Sequence, residues 1–202
     1  MTITSGWISI IGAFITGIIG PILVKLIINW FEKKRDPLSE AFTYGEKVQE
    51  KLENLREEYN ADRLYILQFH NGGYYYPTGK SIQKFSMFYE VVKDPKYSVR
   101  HTFQNIPVHL FSKSLKELAD DDYIAITDYR DATVATFGLK YIAEESGNRS
   151  SYMFTIRNID GKLIGIFGVD YNKVTRLDQN VVRDLQVEAA GIGGELSKYL
   201  KR

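Results

Sequence analysis

The feature that most constrains this chain is an apolar run close to its start. Residues 7–31 read WISIIGAFITGIIGPILVKLIINWF, with Lys25 as the single charge. At 1.5 Å of rise per residue, a helix of that length reaches about 37 Å, enough to cross a hydrocarbon layer of roughly 30 Å. The run predicts one transmembrane helix, with the lipid bilayer as its partner. Trp7 and Trp30 fall where interfacial aromatic residues sit, Lys25 is close enough to the end to snorkel toward water, and Pro21 is a point for a kink. A secretory signal peptide would need a basic leader, a shorter apolar core and a small-residue cleavage site, and Thr2, Thr4 and Ser5 supply no positive charge. Lys33, Lys34 and Arg35 come directly after the run, while only the terminal amine precedes it. The positive-inside rule then predicts a single-pass protein of the inner membrane, with the chain beyond residue 35 on the cytoplasmic side. Ala13 with Gly17 and Thr16 with Gly20 have the spacing that lets two such helices approach closely, although small residues are common in membrane helices generally.

At Asp36-Pro37 the composition turns from apolar to charged. Only Lys25, Lys33, Lys34, Arg35 and Glu32 carry charge before that point, leaving 22 Lys and Arg against 24 Asp and Glu, a net of −2, in the rest. The division is therefore 1–35, anchor and basic flank, and 36–202, a soluble domain with 14 Tyr and 11 Phe in the whole chain to draw on for a core. The near balance of 26 basic and 25 acidic residues argues against nucleic acid as a partner. With no cysteine, disulfides, thiolate metal sites and a Cys nucleophile are excluded, and three histidines leave little for a His-based metal site.

Leu38, Phe42, Gly45, Val48, Leu52, Leu55 and Tyr59 recur at spacings of three and four and predict a long amphipathic helix. Residues 63–69 and 85–92 read as strands, joined by the aromatic, turn-rich segment HNGGYYYPTGK. Next come a helix over 108–119, a strand over 123–127 and a helix over 134–145. Residues 150–157 and 162–171 are strands around NIDG, whose Asp160-Gly161 pair signals a hairpin. A closing helix starts at Leu177-Asp178 and carries Val182, Leu185, Ala189, Ile192, Leu196 and Tyr199 on one stripe. Each stripe either covers a sheet or pairs with a second helix, so a homodimer or higher oligomer is expected.

Two segments, AITDYRDATVATFGLKYIAEESGNRSSYMFTIRN and RNIDGKLIGIFGVDYNKVTRLDQNVVRDLQVEAAGIGGEL, resemble the GAF domain of the GAF/PAS class of sensor modules: a strand ending in Thr-Asp and a short helix, then a D-G hairpin leading through L-I-G to a long closing helix. With the leading helix, the resemblance covers nearly all of residues 38–200. It implies an α+β fold, a central antiparallel sheet flanked by helices, behind the transmembrane segment. It also implies a small ligand, or a protein regulator, held between the sheet and the helices over one face. By strand alternation that lining includes Phe85, Met87 and Tyr89, Asp128 with Tyr129, Tyr141, and Ser151, Met153 and Thr155. His70, Asn71 and Gly72 in the HNGG turn offer donors, acceptors and close backbone approach beside a strand end, or simply a tight turn. These give the candidate ligand site: His70, Asn71, Gly72, Tyr89, Asp128, Tyr141, Ser151 and Thr155.

No HExxH, Walker loop, GxSxG or GxGxxG occurs, and the three histidines lie in different predicted elements. No catalytic or metal site is expected, and no cofactor is specified. The expectation is a membrane-anchored, non-enzymatic sensor or adaptor. A second resemblance, of layout only, is to the single-span holins of T-even-type phages, in which the span assembles into a membrane lesion and the soluble domain receives a regulator. The basic flank at residues 33–35 argues for the opposite orientation to that family.

Overall fold

A computed structural model describes residues 13–32, 36–131 and 139–200. The chain forms two compact units, residues 1–45 and 46–202. The division falls inside a helix, several residues beyond the change in composition.

In the first unit, a π-helical turn, Ile15–Ile19, leads into α1 (Gly20–Glu32). The Gly20 N–H reaches back five residues to the Ile15 carbonyl. Pro21 accounts for the wider turn: it has no N–H to donate, and its ring crowds the carbonyl four residues earlier. Ile22, Leu23, Leu26, Ile27 and Trp30 are all more than half exposed. The expected span of 7–31 begins outside the described residues. Among the described residues, no helix is long and apolar enough to cross a membrane. The next helix, α2 (Pro37–Glu58), starts on an Asp36 cap whose Oδ1 accepts the Leu38 N–H at 3.0 Å, with Pro37 in the first helical position, where a missing N–H costs nothing. In this unit α2 leaves Leu38 and Phe42 exposed.

In the second unit, α2 buries Val48, Leu52 and Leu55 and ends at Asn60, which takes the left-handed conformation while the Ala61 N–H bonds back to the Arg56 carbonyl. The strands β1 (Arg63–Tyr74), β2 (Ser81–Val92), β3 (Ile106–Pro107), β4 (Tyr123–Ile126), β5 (Ser150–Arg157) and β6 (Leu163–Tyr171) form one six-stranded sheet in the order β3-β2-β1-β6-β5-β4, antiparallel throughout. The α+β architecture is as expected. The NIDG turn joins β5 to β6 with Gly161 at positive φ, and the Asn158 side chain accepts the N–H groups of Asp160 and Lys162.

The remaining helices are α3 (Ser112–Asp121), α4 (Leu139–Glu145) and α5 (Gln179–Leu200). Val182, Leu185, Ala189, Ile192 and Leu196 of α5 are buried, and the helix packs on β5 and β6. Gly193 makes that approach possible, since a Cβ there would run into the Arg157 carbonyl. Lys51 and Glu188, 2.7 Å apart, tie α2 to α5.

Two features depart from the strand pattern expected of the sequence. First, β1 does not stop at Phe69 but runs on through the HNGG segment to Tyr74, so His70, Asn71 and Gly72 are strand residues, and only the tip beyond Tyr74 is a turn. Second, Ile66 pairs with Tyr89 and Leu67 with Met87, which leaves Phe88 as an extra residue in β2. That bulge resets the alternation, so Tyr89 shares a face with Ile66 rather than with Phe85 and Met87.

Candidate functional site

On the face of the sheet away from α5, the second unit has a partly open cavity of about 60 Å³. Its walls come from alternate residues of five strands: Leu67 in β1, Phe85 and Met87 in β2, Ile124 in β4, Met153 in β5 and Ile166 in β6. Leu115 and Leu118 of α3, with Phe111 and Phe103, close the other side, and Phe85 meets Phe111 edge to face at 5.6 Å. Gly168 is part of this arrangement: the Tyr65 ring lies across it, where any side chain would collide.

One end of the cavity is polar. Arg63 and Asp170 are directly opposite each other in the β1–β6 pairing, with side chains only 4% exposed, and Arg63 Nε donates to Asp170 Oδ2 at 2.9 Å. Asp170 also accepts from Ser151 Oγ at 2.6 Å and from Asn148 Nδ2. Arg63 Nη1 donates to the Tyr97 carbonyl at 3.0 Å and lies 3.7 Å from Glu90 Oε1. Glu90 is in turn held by the backbone N–H groups of Val99 and Arg100 and by the Ser98 hydroxyl. One guanidinium thus faces two buried carboxylates, each hydrogen-bonded, which is the condition for charge to persist in a core.

The phenols nearby respond to this. Burial first, and then the negative charge of Asp170, push the Tyr129 hydroxyl above its ordinary pKa, although its hydrogen bond to Ser151 works the other way. The Tyr65 hydroxyl is pushed well up by burial, with Asp170 the next cause. Burial by itself would lower the Arg63 pKa, but Asp170, Tyr65 and Glu90 together hold it above the ordinary value. Both phenols therefore stay neutral donors at the polar end of the cavity. The arrangement suits a compact molecule with an apolar body and one polar group.

Of the eight residues read from the sequence, the structure brings Ser151 to this cavity. His70 lies outside it, with Nε2 2.9 Å from Ser86 Oγ and its ring edge-on to Phe88, and Asn71 and Gly72 come next along the same strand. Tyr89 is turned to the other face by the bulge, where burial and then the charge of Tyr199 raise its pKa. Asp128 lies outside the lining, gripped by Arg149 through Nη2 at 3.0 and 2.9 Å and Nε at 3.2 Å, contacts that lower its pKa, while its neighbour Tyr129 lines the cavity. Thr155 donates to Asp122 Oδ1 at 3.0 Å, away from the cavity. Tyr141 belongs to α4, but its side chain is outside what the structure describes. Sequence reading missed Arg63, Glu90, Asn148 and Asp170. The available signal was a charge inside each of two otherwise apolar strands, RLYILQF and LIGIFGVDY.

No protein-family model matches the sequence, and no curated protein does. Solved structures do match. A far-red cyanobacteriochrome photoreceptor aligns over 90% of this chain and 99% of its own at 13% identity, with a TM-score of 0.61. The PixJ GAF domain of Thermosynechococcus elongatus aligns over 81% and 89% at 20% identity, with a TM-score of 0.60. The phycocyanobilin-bound GAF domain of a cyanobacterial phytochrome aligns over 82% and 96% at 13% identity, with a TM-score of 0.55. The fold is GAF-like. At these identities the likeness is one of fold, and the second resemblance, to phage holins, draws no support from these comparisons.

Proposed function

We propose that this chain is a non-enzymatic sensor or adaptor that holds a small ligand in the cavity at Arg63 and Asp170, anchored to a bilayer through residues 7–31 with its GAF-like domain on the cytoplasmic side. The observation that carries the reading is the apolar cavity ending in a buried, hydrogen-bonded polar cluster. Its size limits the occupant. About 60 Å³ is well below the roughly 150 Å³ of a cavity that accepts benzene, so a space of this shape admits only a few heavy atoms. A tetrapyrrole of the kind bound by the phytochrome GAF domain does not fit it, and with no cysteine the chain offers no thiol for covalent attachment. The anchor is supported by the apolar side chains of α1 that stay exposed and by the basic residues Lys33, Lys34 and Arg35 beyond them. Output passes through association with a second copy or a regulator protein.

The test is a thermal-shift screen of the full chain in lipid nanodiscs against small metabolites. A ligand at 100 times its Kd stabilises by about 2.7 kcal/mol, which for a domain of this size raises Tm by roughly 5–10 °C. Met153→Trp, which fills the cavity, is expected to remove the shift while preserving the circular dichroism spectrum. A broad screen with no shift overturns the small-ligand reading. Labelling of Lys162→Cys by an impermeant maleimide in intact cells overturns the cytoplasmic placement.

A further inference from the structure

The HNGG segment and the tyrosines after it take no part in the cavity; they form an extension of the β1–β2 pair beyond the last β1–β6 pairing. Beyond residue 68, β1 has no partner in β6 and pairs with β2 alone. Phe69 and Phe85 still pack on the core, their rings 6.4 Å apart. The two strands then continue outward from there to Tyr74 and Ser81, roughly 16 Å at 3.3 Å per residue. The register shifts between Asn71 and Tyr74, with Gly73 at positive φ, and the Lys84 stem lies over Gly72. The tip is an ordered turn: Tyr75 exchanges backbone hydrogen bonds with Lys80 and Gly79, each 2.8 Å.

That ordered tip presents three tyrosines to solvent, Tyr74 at 74%, Tyr75 at 44% and Tyr76 at 97% exposure. An arm this thin gains little stability of its own, so three exposed aromatic rings on it are not explained by folding. Along the arm itself the charges are one-sided. No Asp or Glu occurs between Asp62 and Glu90, and among the described residues Lys80 and Lys84 make no ion pair. Tyrosine with lysine and no acid is the combination that partitions into a lipid headgroup region, the rings at the interface and the ammonium groups toward anionic lipid. A second copy of the arm is a poorer partner, because like-charged lysines would face each other.

We propose that the β1–β2 arm is a membrane-contact element whose tip, Tyr74 to Lys80, seats in the headgroup region of an anionic bilayer. It rests on the proposed function only in that the chain sits at a bilayer. The absence of cysteine makes the test clean: Tyr76→Cys in the full chain is labelled with an environment-sensitive fluorophore, and the protein is placed in nanodiscs of phosphatidylcholine alone or mixed with phosphatidylserine. A label on Val174→Cys, exposed in the loop after β6 and so at the opposite end of the sheet from the arm, is the control. Emission at position 76 is expected to shift to shorter wavelength in the anionic discs, with position 174 unmoved. Lys80→Glu is expected to reduce the seated fraction about fivefold or more, since each basic residue near such a surface contributes on that scale. Equal emission in both lipids, or equal shifts at positions 76 and 174, overturns the proposal, as does a shift that tracks the number of chains per disc instead of the lipid. Co-elution of chain and disc reads the anchor separately. If the chain elutes free, the anchor fails, and the same label with added anionic vesicles still decides the arm.

Discussion

The two faces of the sheet come from the same strands and have opposite characters. On the α5 side, Leu64, Ile66, Phe154, Ile156, Phe167 and Val169 are buried to 1% exposure or less, and Gly193 lets the helix lie directly on β5. On the other side, residues one position away, Arg63, Tyr65, Ser151, Met153 and Asp170, surround a void with a charged end. A well-packed apolar cluster in place of Arg63, Glu90 and Asp170 would be as stable or more so, because desolvating three charges offsets what their attraction returns. One face is packed dry, and the other keeps a buried charged cluster beside a void.

The largest effect expected on this contrast is from Arg63→Met. It leaves Asp170 and Glu90 buried without their cation and should cost about 3–5 kcal/mol in urea denaturation. Adding Asp170→Leu should restore part of that loss, giving a double mutant less destabilised than the sum of the single changes. Additive losses would mean that the pair is not coupled. On the dry face, Phe154→Ala removes a ring that stacks on Tyr123 and lies tilted against Phe167, each at 6.1 Å, and should cost about 3 kcal/mol, with no effect on ligand binding.

A pH titration separates the faces by a smaller margin. Tyr65 and Tyr129 on the cavity side have raised pKa values, and burial followed by Tyr152 pushes Tyr171 on the dry side up to about 12. A pKa higher in the folded state favours the neutral phenol there. The associated stability is whole below the ordinary tyrosine value of about 10 and is lost as pH rises through the folded value. Thermal stability should therefore decline above about pH 10, with tyrosinate absorbance rising together with loss of ellipticity. Tyr129→Phe should flatten the decline more than Tyr171→Phe, and equal slopes would remove the distinction between the faces.

How much of this was readable in the sequence depends on the range of the interaction that decides each feature. The stripe of α5 from Val182 to Leu196, the NIDG hairpin and the strands around it are set by neighbours within a few residues, and they formed as expected, while Tyr199 at the end of the stripe is exposed. The Val48, Leu52 and Leu55 part of the α2 stripe is buried, while Leu38 and Phe42 on the same stripe are exposed, so periodicity alone did not say what each turn would meet. Phe88 has no local mark of a bulge, yet it decides the face of Tyr89. Arg63 and Asp170 are 107 positions apart and meet only because β1 and β6 align in one register, which neither strand specifies alone. The polar end of the cavity is a property of that register, and this is why the site was the least legible part of the chain.

The smallest effect is the one whose sign matters most. Met153 and Ile156 sit three residues apart on β5, facing the cavity and α5 respectively. Replacing Ile156 by Phe adds volume where Gly193 is already in close contact and should destabilise by about 1–3 kcal/mol. Met153→Phe adds volume beside a void and should stabilise by about 0.5–1 kcal/mol, the range found for cavity filling, while weakening any ligand held there. Opposite signs from the same ring on the same strand would show that the cavity is real free space in solution. A loss of stability in both would mean that the cavity face closes as tightly as the other, leaving the Arg63–Asp170 pair as a structural lock with no room for a guest.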